Sequence, residues 1–154
     1  MSQQPGGGIG EGRIVVGVDG STSSKQALLW GGHFAALLGA QLTVVTAWEY
    51  PQLQGWAAPL PSDWNPAQGM DTALHDTVRA VFGAEPPAGM QLQVLEGGAA
   101  KVLLDACEGA VMLVVGSRGH GGFAGLLLGS VSANVAEHAS CPVFIVHGDR
   151  PPPG

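Results

Sequence analysis

Five short, valine-rich apolar runs punctuate the chain. RIVVGV at 13–18, LTVVTAW at 42–48, LQVLEG at 92–97, VMLVV at 111–115 and PVFIV at 142–146 are largely apolar and β-branched, which predicts buried strands. VMLVV is apolar at every position, as strands covered on both faces are. Pro142 is compatible with a strand only at its first position. Between the runs the period changes. Ala27, Trp30, Gly31, Phe34 and Leu38 recur at helical spacing, predicting a helix from about Ser24 to Leu38 that Gly39 ends. Ser23 with Gln26 three residues on fits a capping box at its start. Three further helices are predicted, over MDTALHDTVRAVFG (70–83), AAKVLLDACEG (99–109) and SVSANVAEHAS (130–140). Cys141-Pro142 stops the last of them.

Strand and helix thus alternate from first to last, with no hairpin turn between strands. That pattern argues an α/β fold on a parallel sheet. No internal repeat interrupts it, so a single domain over 13–147 is expected. Glycine- and proline-rich ends, 1–12 and 148–154, read as poorly ordered tails. One segment breaks the rhythm. EYPQLQGWAAPLPSDWNP (49–66) holds prolines at 51, 59, 61 and 66 and tryptophans at 56 and 64. Prolines that dense predict a long loop. It reads either as a surface excursion whose tryptophans pack on the body or as a lid over a site.

Composition narrows the function. Of 154 residues, 45% are apolar and 12% charged, which is globular and not disordered. A net charge of −6, with six Lys and Arg in all, argues against a nucleic-acid surface. The longest unbroken apolar run in the strand regions, Val111 to Val115, is far short of the roughly 20 residues of a membrane span. No basic-then-apolar leader opens the chain, so the expected location is cytoplasmic. In that reducing compartment Cys107 and Cys141 are expected as free, half-buried thiols.

The chemistry concentrates in VVGSRGHGGFAGLLLGSVS (114–132), which holds six glycines, one arginine and one histidine. It leaves a buried strand and enters a helix. Gly116 and Gly119 would let the backbone approach a ligand and adopt positive φ. Gly129-Ser130 would open the helix, where free N–H groups favour an anion, with Ser130 and Ser132 adding hydroxyl donors. A P-loop is excluded, because the Gly125 to Gly129 spacing is wrong and no lysine precedes Ser130. GHGGFA (119–124) spells a dinucleotide fingerprint, yet it follows the fourth strand and not the first. Asp19, in GVDGS (17–21), ends the first strand. An acid there repels phosphate but accepts hydrogen bonds from ribose hydroxyls or a base amino group; the plainer role is that of a turn former.

Taken together, VVGVDGS, the spacing Gly116, Gly119, nine residues, Gly129-Ser130, and HASCPVFIV behind it resemble the universal stress proteins of the ATP-binding kind, over nearly all of Arg13 to His147. The resemblance implies a five-stranded parallel sheet of order 3-2-1-4-5 with helices on both faces, Rossmann-like and akin to the adenine nucleotide alpha hydrolases. It implies ATP, or AMP or ADP, in the crevice between strands one and four, with Mg²⁺ accompanying the phosphates. Asp19 would meet the ribose and adenine side and Ala47 the adenine through its backbone. Gly17 and Val18 would line the first turn. Val115, Gly116, Arg118, Gly119, Gly129, Ser130, Val131 and Ser132 would surround ribose and phosphates, with His120 beside Arg118 as a second cationic partner. It also implies a homodimer through strand five, Pro142 to Val146, whose apolar edge carries no charge. No catalytic residue and no metal held by protein ligands alone is expected; His138 and Cys141, three apart, make no zinc site. A nucleotide-dependent regulatory module of the stress response is the first function class. A slow ATPase or a phospho- or adenylyl-transfer enzyme on the same site is the second.

Overall fold

A computed structural model of the chain describes residues 12–49, 65–118, 128–148 and 150–153. Within them five strands and four helices alternate: β1 (Arg13–Gly17), α1 (Thr22–Leu38), β2 (Gln41–Trp48), α2 (Pro66–Phe82), β3 (Gln91–Glu96), α3 (Ala99–Ala106), β4 (Met112–Gly116), α4 (Ser130–His138) and β5 (Val143–Val146). The strands form one sheet of order β3-β2-β1-β4-β5, and every neighbouring pair is parallel. The expected fold is therefore the observed one.

The valine runs explain the layering, because successive side chains on a strand point to opposite faces. Ile14, Val16, Leu42, Val44 and Val114 face α1 and α2, where Ala27, Leu28, Leu74 and Val78 meet them. Val15, Val45, Leu113 and Val115 face the other way, onto Val102, Leu103 and Val135 of α3 and α4. Both clusters are dry: Ile14, Val15, Val16 and Val114 are 0% exposed. At roughly 1.5–3 kcal/mol for each fully buried aliphatic side chain, these central strands are the main favourable term. Arg13 secures the lower end of the second face. Its Nη2 donates to the Ala106 and Glu108 carbonyls, at 2.9 and 2.6 Å, and so closes the end of α3.

Three expectations are corrected. Ser23 and Gln26 form no capping box: Ser21 caps α1, its hydroxyl accepting the Ser24 amide at 3.2 Å. An Asp19–Ser21 turn sets that cap two residues earlier than the apolar period suggested, and the helix begins at Thr22. The buried face of α1 is also rotated. Ser24, Ala27, Leu28, Gly31 and Ala35 lie against the sheet, while Trp30, Phe34 and Leu38 pack at its margin. Gly31 and the small residues around it let α1 lie close over Val16, a position that a bulky stripe would not allow. The loop ends sooner than its prolines implied. Pro66 is the first residue of α2, where its missing N–H costs nothing, and Asn65 caps the helix through the Gln68 amide at 3.1 Å. Residues 50–64, with Trp56 and Trp64, lie outside the described residues. Beyond β5 the chain returns over α1: the Trp30 indole donates to the Arg150 carbonyl at 2.9 Å, and Trp30 stacks on Phe144 with ring centroids 5.1 Å apart.

Candidate functional site

The sheet order places β1 and β4 side by side, with Val16 opposite Val114. The chain leaves β1 toward β2 on one side, and reaches β4 from β3 on the other. This is the point where strand order reverses, and open α/β sheets take ligands outside the carboxyl ends of the strands there. Two junctions flank it.

The β1–α1 junction is built from side chains. Gly20 takes φ +84°, a turn that other residues rarely adopt. Asp19 Oδ1 accepts the Ser21 amide at 2.9 Å, and the Asp19 amide donates to Ser24 Oγ at 3.2 Å. Ser24 Oγ in turn donates to the Ser21 carbonyl at 3.0 Å. Asp19 itself is exposed, at the rim of the crevice. Val18 points into the core. Its amide donates to the Val45 carbonyl at 2.9 Å, and its carbonyl accepts Thr46 Oγ1 at 2.7 Å. Gly17 lies tight against α3, since a Cβ would stand 2.7 Å from Leu103 Cδ1 and the leucine would have to shift. Ala47, half-buried opposite Leu95, lies two positions beyond the last β1–β2 pair, Gly17 with Val45.

The β4–α4 junction is built from backbone. Ser117 donates its amide to the Val146 carbonyl at 2.8 Å, and its own carbonyl accepts two hydrogens, the Gly129 amide at 2.7 Å and the Ser132 hydroxyl at 2.8 Å. That double acceptor ties the two ends of the glycine segment together. Gly129 is the cap of α4, in extended backbone, and no side chain caps the helix. Ser130 is exposed at its first position, Val131 half-buried at its second, and Arg118 exposed just beyond β4. Val115 belongs to the core, 4% exposed.

Two residues do other work than their sequence reading. Ser132 is 3% exposed and its one proton is directed to Ser117 and Gly129, so it fastens the junction and offers no free donor. Gly116 has no positive φ. A Cβ there would collide with Ser23 Oγ and stand 2.7 Å from the Ser23 carbonyl carbon. Gly116 thus exists for close approach, but of α1. Gly119 and His120 lie outside the described residues. Sequence reasoning missed Ser117, Ser21 and Ser24; the pattern Asp-x-Ser marks the Asx turn at 19–21, whereas nothing in the sequence marks a carbonyl that takes two donors. Among the described residues no three His, Cys, Asp or Glu side chains group as a metal site.

A doubly wound parallel domain with an uncapped, glycine-entered helix at its switch point defines a class that takes ligands on its carboxyl edge. The sequence profile of the Universal stress protein family matches residues 11–147, and the chain belongs to that family. Universal stress protein Rv2623 of Mycobacterium tuberculosis is 36% identical over 143 residues, covering 88% of this chain and 48% of its own. A universal stress protein of Mycolicibacterium smegmatis is 34% identical, with the same 88% and 48% coverage. The chain spans about half the length of the curated relatives it matches. A solved universal stress protein in complex with cAMP superposes with TM-score 0.66 at 29% identity, over 89% of this chain and 97% of the other. UspA from Lactobacillus plantarum gives TM-score 0.68 at 20% identity, over 88% and 97%, a likeness of fold.

Proposed function

We propose that this chain binds an adenine nucleotide, ATP first among them, in the crevice between β1 and β4. The observation that carries the reading is the contrast at that crevice: α1 is capped by its own serines, while α4 opens with no side-chain cap. The first-turn amides of α4, with the Ser130 hydroxyl and Arg118, suit phosphates. The exposed Asp19 carboxylate suits ribose hydroxyls or the base, and Ala47 offers backbone to the adenine. The family supports it, as does the 29% identical relative whose structure contains cAMP. Mg²⁺ would come with the phosphates. We read the domain as holding nucleotide, with turnover slow at most, because rapid phosphoryl transfer needs a metal clamp, a positioned water and charge stabilisation together. In this reading it is a regulatory module of the stress response in the cytoplasm, where the bound nucleotide alters a partner-facing surface. No helix among the described residues is long and apolar enough to cross a membrane. A second copy would pair along the edge of β5, where Val143, Phe144 and Ile145 stay half-buried and uncharged.

Native mass spectrometry of freshly purified protein, followed by ATP titration, tests the reading. Intact ATP or another adenine nucleotide bound one per chain is expected. In Asp19→Asn the amide oxygen still accepts the Ser21 N–H, so the fold stays while affinity falls about tenfold, as for a lost charge-assisted hydrogen bond. Absence of any adenine nucleotide complex at millimolar ATP overturns it.

A further inference from the structure

At the end of the sheet away from this crevice, two thiols meet. Cys107 closes α3 and is 0% exposed, its Sγ 3.4 Å from the Leu104 carbonyl. Cys141 lies between α4 and β5, packed half-buried on the same cluster, with Sγ 3.4 Å from the Pro142 carbonyl. The backbone holds the two turns together. The Ala110 amide donates to the Cys107 carbonyl at 3.0 Å, and the Leu113 amide to the Pro142 carbonyl at 2.9 Å. Both thiols are free and pack on one apolar cluster, close enough that Cys107 raises the Cys141 pKa. The expected half-buried pair is thus asymmetric, with one sulfur enclosed and the other accessible.

We propose that Cys107 and Cys141 form a redox modification site, a dithiol that hydrogen peroxide converts into an intramolecular disulfide joining the end of α3 to the start of β5. Neighbouring sulfurs on one cluster are what the bond requires, and the difference in burial sets the order of events. Cys141 meets the oxidant and Cys107 resolves it. The Cys141 thiolate attacks one peroxide oxygen, the O–O bond breaks, and the departing hydroxide takes up the thiol's proton to leave as water. Cys141 is then a sulfenic acid. Cys107 sulfur attacks the Cys141 sulfur, the S–O bond breaks, and the hydroxyl leaves as a second water with the Cys107 proton. The two thiols lose two electrons and the peroxide gains them.

Burial first, then Cys107, pushes the Cys141 thiol up to about 11, with the Leu113 backbone and then Arg13 on β1 pulling the other way. Thiolate is therefore scarce at neutral pH, so the site answers sustained oxidant and ignores brief exposure. The closed ring, 107 to 141, contains β4 and α4, both walls of the β4–α4 junction. Only this consequence rests on the nucleotide reading: oxidation would narrow the motions open to the phosphate-facing unit.

The experiment treats the full chain with hydrogen peroxide, blocks remaining thiols under denaturing conditions, and measures intact and non-reduced peptide masses. A monomer lighter by about 2 Da, a linked peptide pair holding Cys107 and Cys141, and reversal by dithiothreitol are expected. The unfolding midpoint should rise by roughly 5 °C on oxidation. Cys107→Ser should halt at oxidised Cys141, and Cys141→Ser should leave Cys107 untouched. Two blockable thiols after prolonged peroxide, a sulfinic acid on Cys141 beside free Cys107, or a dimer linked through Cys141 would each overturn the proposal. None of these readouts involves nucleotide, so they stand or fall apart from the binding site.

Discussion

Two helices begin at the same edge of the sheet and begin differently. At the start of α1, Asp19, Ser21 and Ser24 exchange hydrogen bonds, and the helix end is served from within the chain. At the start of α4, Gly129 has no side chain to offer, and the two serines nearby divide: Ser132 ties the backbone and Ser130 faces out. A helix N-terminus attracts an anion only when its amides are not already served. The same physics therefore separates a terminus served by its own side chains from one that no side chain caps, after neighbouring strands. The glycines follow the same division. Gly116 gives way to α1, whereas Gly129 caps α4 without a side chain.

The largest way to break the contrast is to fill Gly116. Gly116→Ala puts a methyl against Ser23 and should cost about 3 kcal/mol of stability, read by urea unfolding. Adding Ser23→Ala should recover only part of the loss, because the hydroxyl collision goes and the 2.7 Å approach to the Ser23 carbonyl carbon remains. Full stability with impaired ATP binding would mean that Gly116 serves the ligand after all. Next in size is a cap placed where there is none. Gly129 has φ −74° and ψ 172°, backbone that aspartate adopts readily. Gly129→Asp should lower ATP affinity about 100-fold, near 2.7 kcal/mol, by supplying a competing carboxylate. Unchanged affinity in calorimetric titration would remove α4 from the site.

How much of this was legible beforehand follows the same line. Strands whose interior is valine announce themselves by composition alone, because burial on two faces leaves no room for a polar position; β1 and β4 were readable for that reason. Which strands are neighbours is a long-range fact, and it came from the resemblance and not from spacing. The start of α1 was misplaced because Ser21, Ser23 and Ser24 are all competent caps, and only the Asp19 turn decides among them. The buried face of α1 was misjudged because size suggested Trp30 and Phe34, while the close approach over Val16 selected Gly31 and Ala27. At the two junctions, residue types pointed to the carboxyl edge of the sheet, where Asp19 and Gly129 lie. They did not show that Ser132 and Gly116 are engaged with their own chain, since a hydrogen-bond partner 15 residues away leaves no local trace.

Smaller effects sharpen the α1 side. Ser21→Ala removes the cap that accepts the Ser24 amide and should cost about 1 kcal/mol in thermal or urea unfolding, leaving ATP affinity within twofold. Ser23→Ala sits at the other limit. Ser23 Oγ is buried without a hydrogen-bond partner, so its removal relieves a desolvated hydroxyl and loses no bond. The expected change is within about 0.5 kcal/mol of zero, on the stabilising side. The pair forms one measurement: two serines, two positions apart, of which the capping-box reading would have made Ser23 the costly one. A loss for Ser23→Ala as large as that for Ser21→Ala would return the cap to Ser23, and with it the claim that α1 is served by its own turn.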